Sequence, residues 1–188
     1  MSPPEATEIG DAGLKLDDKL PATAFSRWAD QLVIRLGLLS SAVWGVLVLA
    51  ILTGVFQRHL LSQGTIFIEE FQWHLYAVGI AFAIAFCMAN DSHIRVDVLS
   101  RNFSMRRSAW VESIGIVVLL LPYALFVLWN GILFVNTAYQ SGEVSLAPDG
   151  LGHRWIIKSM LPIAFGLLTL ASLSRLTRCI AFLRNPAN

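Results

Sequence analysis

Four long stretches of the sequence contain no aspartate, glutamate, lysine or arginine, and this pattern limits the fold more than any other feature. They are residues 36–57, 71–90, 113–142 and 159–174. A helix needs about 20 predominantly apolar residues to cross ~30 Å of hydrocarbon at ~1.5 Å per residue. The first three stretches have this length. The fourth reaches it if residues 155–157 extend it and the Lys158 side chain bends toward the headgroups.

The composition is typical of an integral membrane protein. Only 14% of the 188 residues are charged, and the mean hydropathy is +0.61, whereas soluble domains have about 25% charged residues. Backbone groups find no water inside a bilayer, so each apolar stretch must be helical. We therefore predict an all-α integral membrane protein with four transmembrane helices, at about residues 36–57, 69–90, 111–138 and 155–175.

The basic residues predict the orientation of these helices. Eleven of the 14 lysines and arginines lie before span 1, between spans 2 and 3, or near the C-terminus. The other two loops hold only Arg58, Arg154 and Lys158. The positive-inside rule then places both termini in the cytoplasm, as an even number of spans requires. The polar residues 1–26 are predicted to be a disordered cytoplasmic tail, and residues 27–184 a four-helix membrane domain.

The loop between spans 2 and 3 has an apolar stripe of its own. Val96, Leu99 and Phe103 follow i, i+3, i+7 spacing and are flanked by arginines. This pattern favours a short amphipathic helix lying in the cytoplasmic interface or packed on a partner. A solvated connector with scattered apolar residues is the alternative.

The sequence contains no pattern typical of a catalytic site. It has no G-x-S-x-G, no glycine-rich phosphate loop and no H-E-x-x-H, and its two cysteines form no metal-ligand motif. We therefore predict that the chain is not an enzyme. One alternative is a haem-binding membrane electron-transfer subunit, because His59, His74 and His153 lie at outer ends of the predicted spans.

Two charged groups beside span 2 are candidates for an interface. Glu69 and Glu70 open the span, and i, i+4 spacing puts Glu69 on the face of Trp73 and Glu70 on the face of His74. Acids in a first helical turn are also favoured simply by the helix dipole. Contact with another membrane subunit is the functional interpretation.

The second group follows directly after span 2 and reads Asn90-Asp91-Ser92-His93-Ile94-Arg95-Val96-Asp97. His93 and Asp97 are four residues apart and would pair on a helix. A capped loop is the plainer explanation, because asparagine, aspartate and serine are natural helix-boundary residues.

Taken together, these residues resemble a known family. The Glu69-Glu70 pair, the small and aromatic residues of span 2 and the His93-Ile94-Arg95-Val96-Asp97 element resemble the small membrane subunit of TRAP transporters, the DctQ-like family. The resemblance covers roughly residues 27–183, and the His-x-x-Val-Asp element is its most specific part. Residues 143–158 resemble one branch of that family.

The resemblance implies a role in a tripartite, sodium-coupled importer of organic acids in the bacterial inner membrane. A periplasmic solute-binding protein (DctP-like) captures the solute, and a large elevator-type permease subunit (DctM-like) moves it. The small subunit scaffolds the large one. The sodium and transport sites belong to the large subunit, so no cofactor is expected here. A partner-interface role is implied for Glu69, Glu70, Trp73, His93, Arg95 and Asp97.

Overall fold

A computed structural model of the protein describes residues 20–60, 65–90, 104–148 and 150–184. Within these ranges every regular element is helical, and four helices are long and apolar enough to cross a membrane. We name them spans 1 to 4 in chain order: Ala24–Leu60, Ile66–Ala89, Met105–Gln140 and Arg154–Arg184. The predicted all-α membrane fold with four spans is confirmed.

Span 1 has 37 residues and is longer than the charge-free stretch that predicted it. It begins at Ala24, inside the stretch 1–26 that was assigned to a tail. A reciprocal cap explains this start, because the Ser26 N–H bonds to Thr23 Oγ1 and the Thr23 N–H bonds to Ser26 Oγ, each at 3.0 Å. Charge-free residues therefore mark the lipid-crossing part of a helix and not its ends.

Spans 3 and 4 change geometry beside their prolines. Span 3 consists of Met105–Gly115, a π-helical turn at Ile116–Leu120, and Leu121–Gln140. Pro122 is the second residue after the π turn. Proline has no N–H, and its ring crowds the carbonyl one turn earlier, which the wider π turn accommodates. Span 4 is divided into Arg154–Lys158 and Met160–Arg184, and Pro162 lies just after this division.

Span 4 contacts each of the other three spans and is the centre of the bundle. Small residues let the helices approach closely. A Cβ added at Gly37 would lie 2.3 Å from the Phe86 ring, and one at Gly79 would lie 2.8 Å from the Trp44 ring. The contacts between spans 1 and 2 therefore depend on glycine at these two positions.

The loop between spans 2 and 3 is shorter than the sequence indicated. Met105 and the residues after it belong to the helix of span 3, which begins six residues before the predicted start of that span at about residue 111. The apolar stripe of Val96, Leu99 and Phe103 lies outside the described residues. The amphipathic interfacial helix therefore stays a prediction.

Candidate functional site

The loop that joins spans 3 and 4, residues 141–153, is named the outer loop because the charge pattern predicts it outside the cytoplasm. All of it except Asp149 is described. Backbone hydrogen bonds fold it onto itself, from Ser145 N–H to the Leu151 carbonyl at 3.3 Å and from Arg154 N–H to the Glu143 carbonyl at 3.2 Å. Gly142 has a φ of +59°, a left-handed conformation that glycine adopts without strain.

Glu70 ties span 2 to this outer loop. One carboxylate oxygen accepts a hydrogen bond from the Ser145 hydroxyl, and the other accepts one from the Leu151 N–H at 2.6 Å. Ser145 Oγ also accepts a hydrogen bond from the Ala147 N–H at 3.3 Å. Both Glu70 oxygens are thus bonded within the chain, so the sequence-predicted interface residue has an intramolecular contact of its own.

His74 lies one turn after Glu70 on the same helix face, as its spacing indicated. Its ring nitrogen Nδ1 is 2.6 Å from the backbone carbonyl oxygen of Glu70. A carbonyl only accepts, so Nδ1 carries the hydrogen. The imidazole therefore bonds to the helix backbone, whereas the Glu70 carboxylate bonds to the outer loop.

A second tie connects the outer loop to span 4. Lys158 forms an ion pair with Glu143, and its ammonium lies 4.0 Å from the centre of the Phe134 ring. The lysine side chain is only 17% exposed. It is held by Glu143 and by a cation–π contact with Phe134. Span 4 nevertheless extends past Lys158, because this ion pair offsets the charge.

Glu69 and Trp73 have exposed side chains on span 2. Glu69 pairs with Arg58 of span 1 at 2.5 Å, and both side chains are more than half exposed. Trp73 is 70% exposed. The Arg58–Glu69 pair borders a cleft of about 200 Å³ between spans 1 and 2. Of the sequence-predicted site residues that the structure describes, Glu69 and Trp73 have side chains that another molecule could contact.

The opposite end of the bundle, named the inner end, is also tied by polar side chains. Arg175 Nε of span 4 bonds to Glu112 Oε1 of span 3 at 2.7 Å, and the two side chains are 3% and 15% exposed. Ser174 Oγ donates to Asp30 of span 1 at 2.6 Å. Together these contacts join spans 1, 3 and 4 where the predicted lipid-crossing stretches end.

Sequence reasoning missed this inner-end pair and counted Arg175 only toward the charge asymmetry. A signal was present in the sequence. Glu112 is the last charge before one charge-free stretch, and Arg175 is the first charge after the next. Opposite charges at matching ends of consecutive antiparallel spans lie at a similar depth, so ion pairing between them is favoured.

His93, Arg95 and Asp97 lie outside the described residues. Their interface role stays a prediction, as does that of Glu69, Glu70 and Trp73. Two of the histidines considered for haem have local contacts: His59 Nδ1 bonds to the Val55 carbonyl at 3.2 Å, and His74 Nδ1 to the Glu70 carbonyl. Among the residues that the structure describes, no three His, Cys, Asp or Glu side chains group to hold a metal ion. No observation supports the haem alternative.

One comparison with known proteins gives a match. The family model described as "Tripartite ATP-independent periplasmic transporters, DctQ component" matches residues 47–182, which is more than half of the chain. The matched part includes Glu70, the outer loop and the Arg175–Glu112 pair. No curated protein and no solved structure matches the chain.

Proposed function

The chain belongs to the DctQ component family of tripartite ATP-independent periplasmic (TRAP) transporters, and from this we propose that it scaffolds a large permease subunit, part of which moves during transport. Family membership makes it a small membrane subunit of a TRAP transporter. The family is a transporter component and not an enzyme family.

The proposed transporter imports organic acids into a bacterium across the inner membrane and couples this import to sodium. A large DctM-like subunit carries the solute with an elevator-type motion and binds the sodium, and a DctP-like protein delivers the solute from the periplasm. These roles are supported by membership of a tripartite transporter family. The charge asymmetry supports the orientation with both termini inside.

The observation that supports a scaffolding role best is that polar contacts tie the bundle at both ends. Glu70 and Lys158 join the outer loop to spans 2 and 4, and Arg175 joins span 4 to Glu112 of span 3. An elevator needs one body that stays still while another shifts across the bilayer. Spans that are linked at both ends resist sliding past one another, which suits the still body.

The bundle also leaves most of its apolar surface uncovered. In the apolar window of each span, between 12% and 22% of the residues are buried inside the protein. Lipid or a partner subunit must cover the rest. Arg58 of span 1 and Glu69 and Trp73 of span 2 have exposed side chains, which we call the patch, and we propose that the large subunit contacts them.

The experiment is co-purification of the large subunit with an affinity-tagged small subunit, combined with solute uptake in cells. Trp73→Ala and Glu69→Gln are expected to lower both recovery of the large subunit and uptake. Trp129→Ala is the matched control, because Trp129 is 67% exposed on span 3 and lies outside the patch. Equal recovery from all three variants would remove this patch from the interface.

The scaffolding role itself is tested by removing the small subunit. Without it, uptake should be lost, and the chain expressed alone should be poorly behaved until the large subunit is co-expressed. A stable and functional small subunit in the absence of any partner would contradict the proposal.

A further inference from the structure

A groove of about 540 Å³ lies at the inner end between the start of span 1 and the last two turns of span 4. Among the residues that the structure describes, its lining combines two hydroxyl groups, a short apolar wall and one guanidinium. The lining residues are Thr23, Thr177, Ile180, Ala181 and Arg184. None of these residues takes part in the contacts described at the outer end.

The groove exists because span 4 continues past the start of span 1. Thr23, directly before span 1, has its Oγ1 3.2 Å from Thr177 Oγ1 of span 4. Span 4 runs on from Thr177 to Arg184, which at 1.5 Å per residue is about 10 Å further toward the inner side. The two threonines therefore form the floor of a step, and the last turns of span 4 form its wall.

One hydroxyl on the floor can donate to a ligand. Thr177 Oγ1 donates its hydrogen to the Ser174 carbonyl at 2.7 Å. Thr23 Oγ1 accepts from the Ser26 N–H, and its own hydrogen is directed only to the neighbouring threonine oxygen. Rotation of the Thr23 hydroxyl would turn this hydrogen toward an acceptor in the groove.

The charge of the groove is positive. Arg184 lines it, and Arg27, one helical turn after the lining residue Thr23, is exposed. Within the described part of the chain, neither arginine has an acidic partner. The charge asymmetry predicts that this end faces the cytoplasm, where the leaflet is rich in anionic lipids.

The apolar groups around the groove fit a lipid better than a free anion. Ile180 is 43% exposed on the wall. Phe25 and Trp28, in the first two turns of span 1, are 41% and 59% exposed, and their rings are 6.3 Å apart. Exposed aromatic rings at a span end favour the plane of the membrane interface. A lipid whose phosphate is bound in the groove would thus place its acyl chains against these apolar side chains.

We propose that this groove binds the phosphate of an anionic phospholipid of the cytoplasmic leaflet. Arg184 pairs with the phosphate, the Thr23 hydroxyl donates to it, and the acyl chains descend over Ile180. Basic pockets between transmembrane helices on the cytoplasmic side bind phospholipid headgroups by this combination of charge and depth. The bound lipid would fill the step between spans 1 and 4.

The test is native mass spectrometry of the full chain, purified with its large subunit and exchanged into mixed phosphatidylglycerol and phosphatidylcholine. The wild type is expected to retain phosphatidylglycerol. Arg184→Gln is expected to lower the retained amount about fivefold, and Arg184→Lys to restore most of it. Arg107→Gln is the matched control, because Arg107 is an exposed arginine at the same end but outside the groove. Its retention should stay at the wild-type level.

Three results would overturn the proposal. They are unchanged retention in Arg184→Gln, an equal loss in Arg107→Gln, and retention of phosphatidylcholine as strong as that of phosphatidylglycerol. Displacement of the lipid by millimolar inorganic phosphate would instead indicate a free-phosphate site. Thr23→Val, measured in the same way, separates the hydroxyl from the charge. The readout is lipid retention, so a negative result would contradict the lipid proposal alone. The proposed function is tested separately, by subunit assembly and uptake.

Discussion

The Glu70 carboxylate accepts a hydrogen bond at 2.6 Å from the backbone N–H of Leu151, a residue 81 positions later in the chain. A backbone donor is available here only because the outer loop is folded to present it. Glu69, the preceding residue, points outward to Arg58. Successive residues of a helix are turned by about 100°, so one acid of the pair faces the loop and the other the surroundings.

Replacing Glu70 with Gln should loosen the outer loop. The amide side chain is neutral and is a weaker acceptor for the Leu151 N–H and the Ser145 hydroxyl than the carboxylate is. We expect faster amide hydrogen exchange across residues 145–151, measured by mass spectrometry in detergent. Glu69→Gln serves as the control and should leave exchange in this loop unchanged. Equal amide hydrogen exchange in the two variants would contradict the hydrogen bonds between Glu70 and the outer loop.

Gly150→Ala tests the same contact from the loop side. An added Cβ would lie 2.5 Å from Cβ and Oγ of Ser145, so the serine must move away from Glu70. The exchange of the outer loop should rise as it does in Glu70→Gln. A Cβ at Gly152 meets no atom within 4 Å, so Gly152→Ala is the matched control. A larger effect in Gly152→Ala would refute the packing argument.

The inner-end pair of Glu112 and Arg175 should dominate the stability of spans 3 and 4. Glu112→Leu removes the carboxylate from a cation that is 3% exposed, and breaking a buried pair costs about 3–5 kcal/mol. Adding Arg175→Met should recover much of this loss. Breaking the exposed Arg58–Glu69 pair with Arg58→Gln should cost less than about 1 kcal/mol. Denaturant unfolding in detergent measures all three, and equal losses in the buried and exposed variants would be inconsistent with the structure.

Close approach of spans 1 and 2 should make Gly37→Ala destabilising. The new Cβ would lie 2.3 Å from the Phe86 ring, and overpacking of this kind costs about 1–3 kcal/mol. Gly45 on the same helix has no atom within 4 Å of the corresponding position. Gly45→Ala should therefore be neutral or stabilising, because alanine favours helix. Denaturant unfolding in detergent measures both variants. An unchanged free energy of unfolding in Gly37→Ala would show that spans 1 and 2 are further apart than in this structure.

The orientation can be tested by thiol labelling in intact cells. Leu146, at the tip of the outer loop, is 97% exposed, so Leu146→Cys should react with a membrane-impermeant reagent added from outside. Ser104, directly before span 3, is exposed at the inner end, and Ser104→Cys should react only after the membrane is opened. The reverse pattern would overturn the predicted orientation.

Local properties of the sequence predicted the number and positions of the spans. A charge-free stretch such as residues 71–90 has one stable environment, because removal of a charged group from water is costly and backbone groups in lipid must bond within a helix. The helix ends were less accurately predicted. Span 1 begins at Ala24 because a cap formed by Thr23 and Ser26 extends it beyond the lipid.

Only the tertiary structure decided what the charged residues bond to. Glu69 and Glu70 are neighbours with the same chemistry, yet one pairs with Arg58 and the other with the outer loop. The sequence alone indicates that a charge beside a span needs a partner, because an uncompensated charge there is costly. Several of these partners are far along the chain: Glu112 bonds to Arg175, 63 positions away, and Asp30 to Ser174, 144 positions away. Those contacts form only once the spans have packed, so no local pattern encodes them.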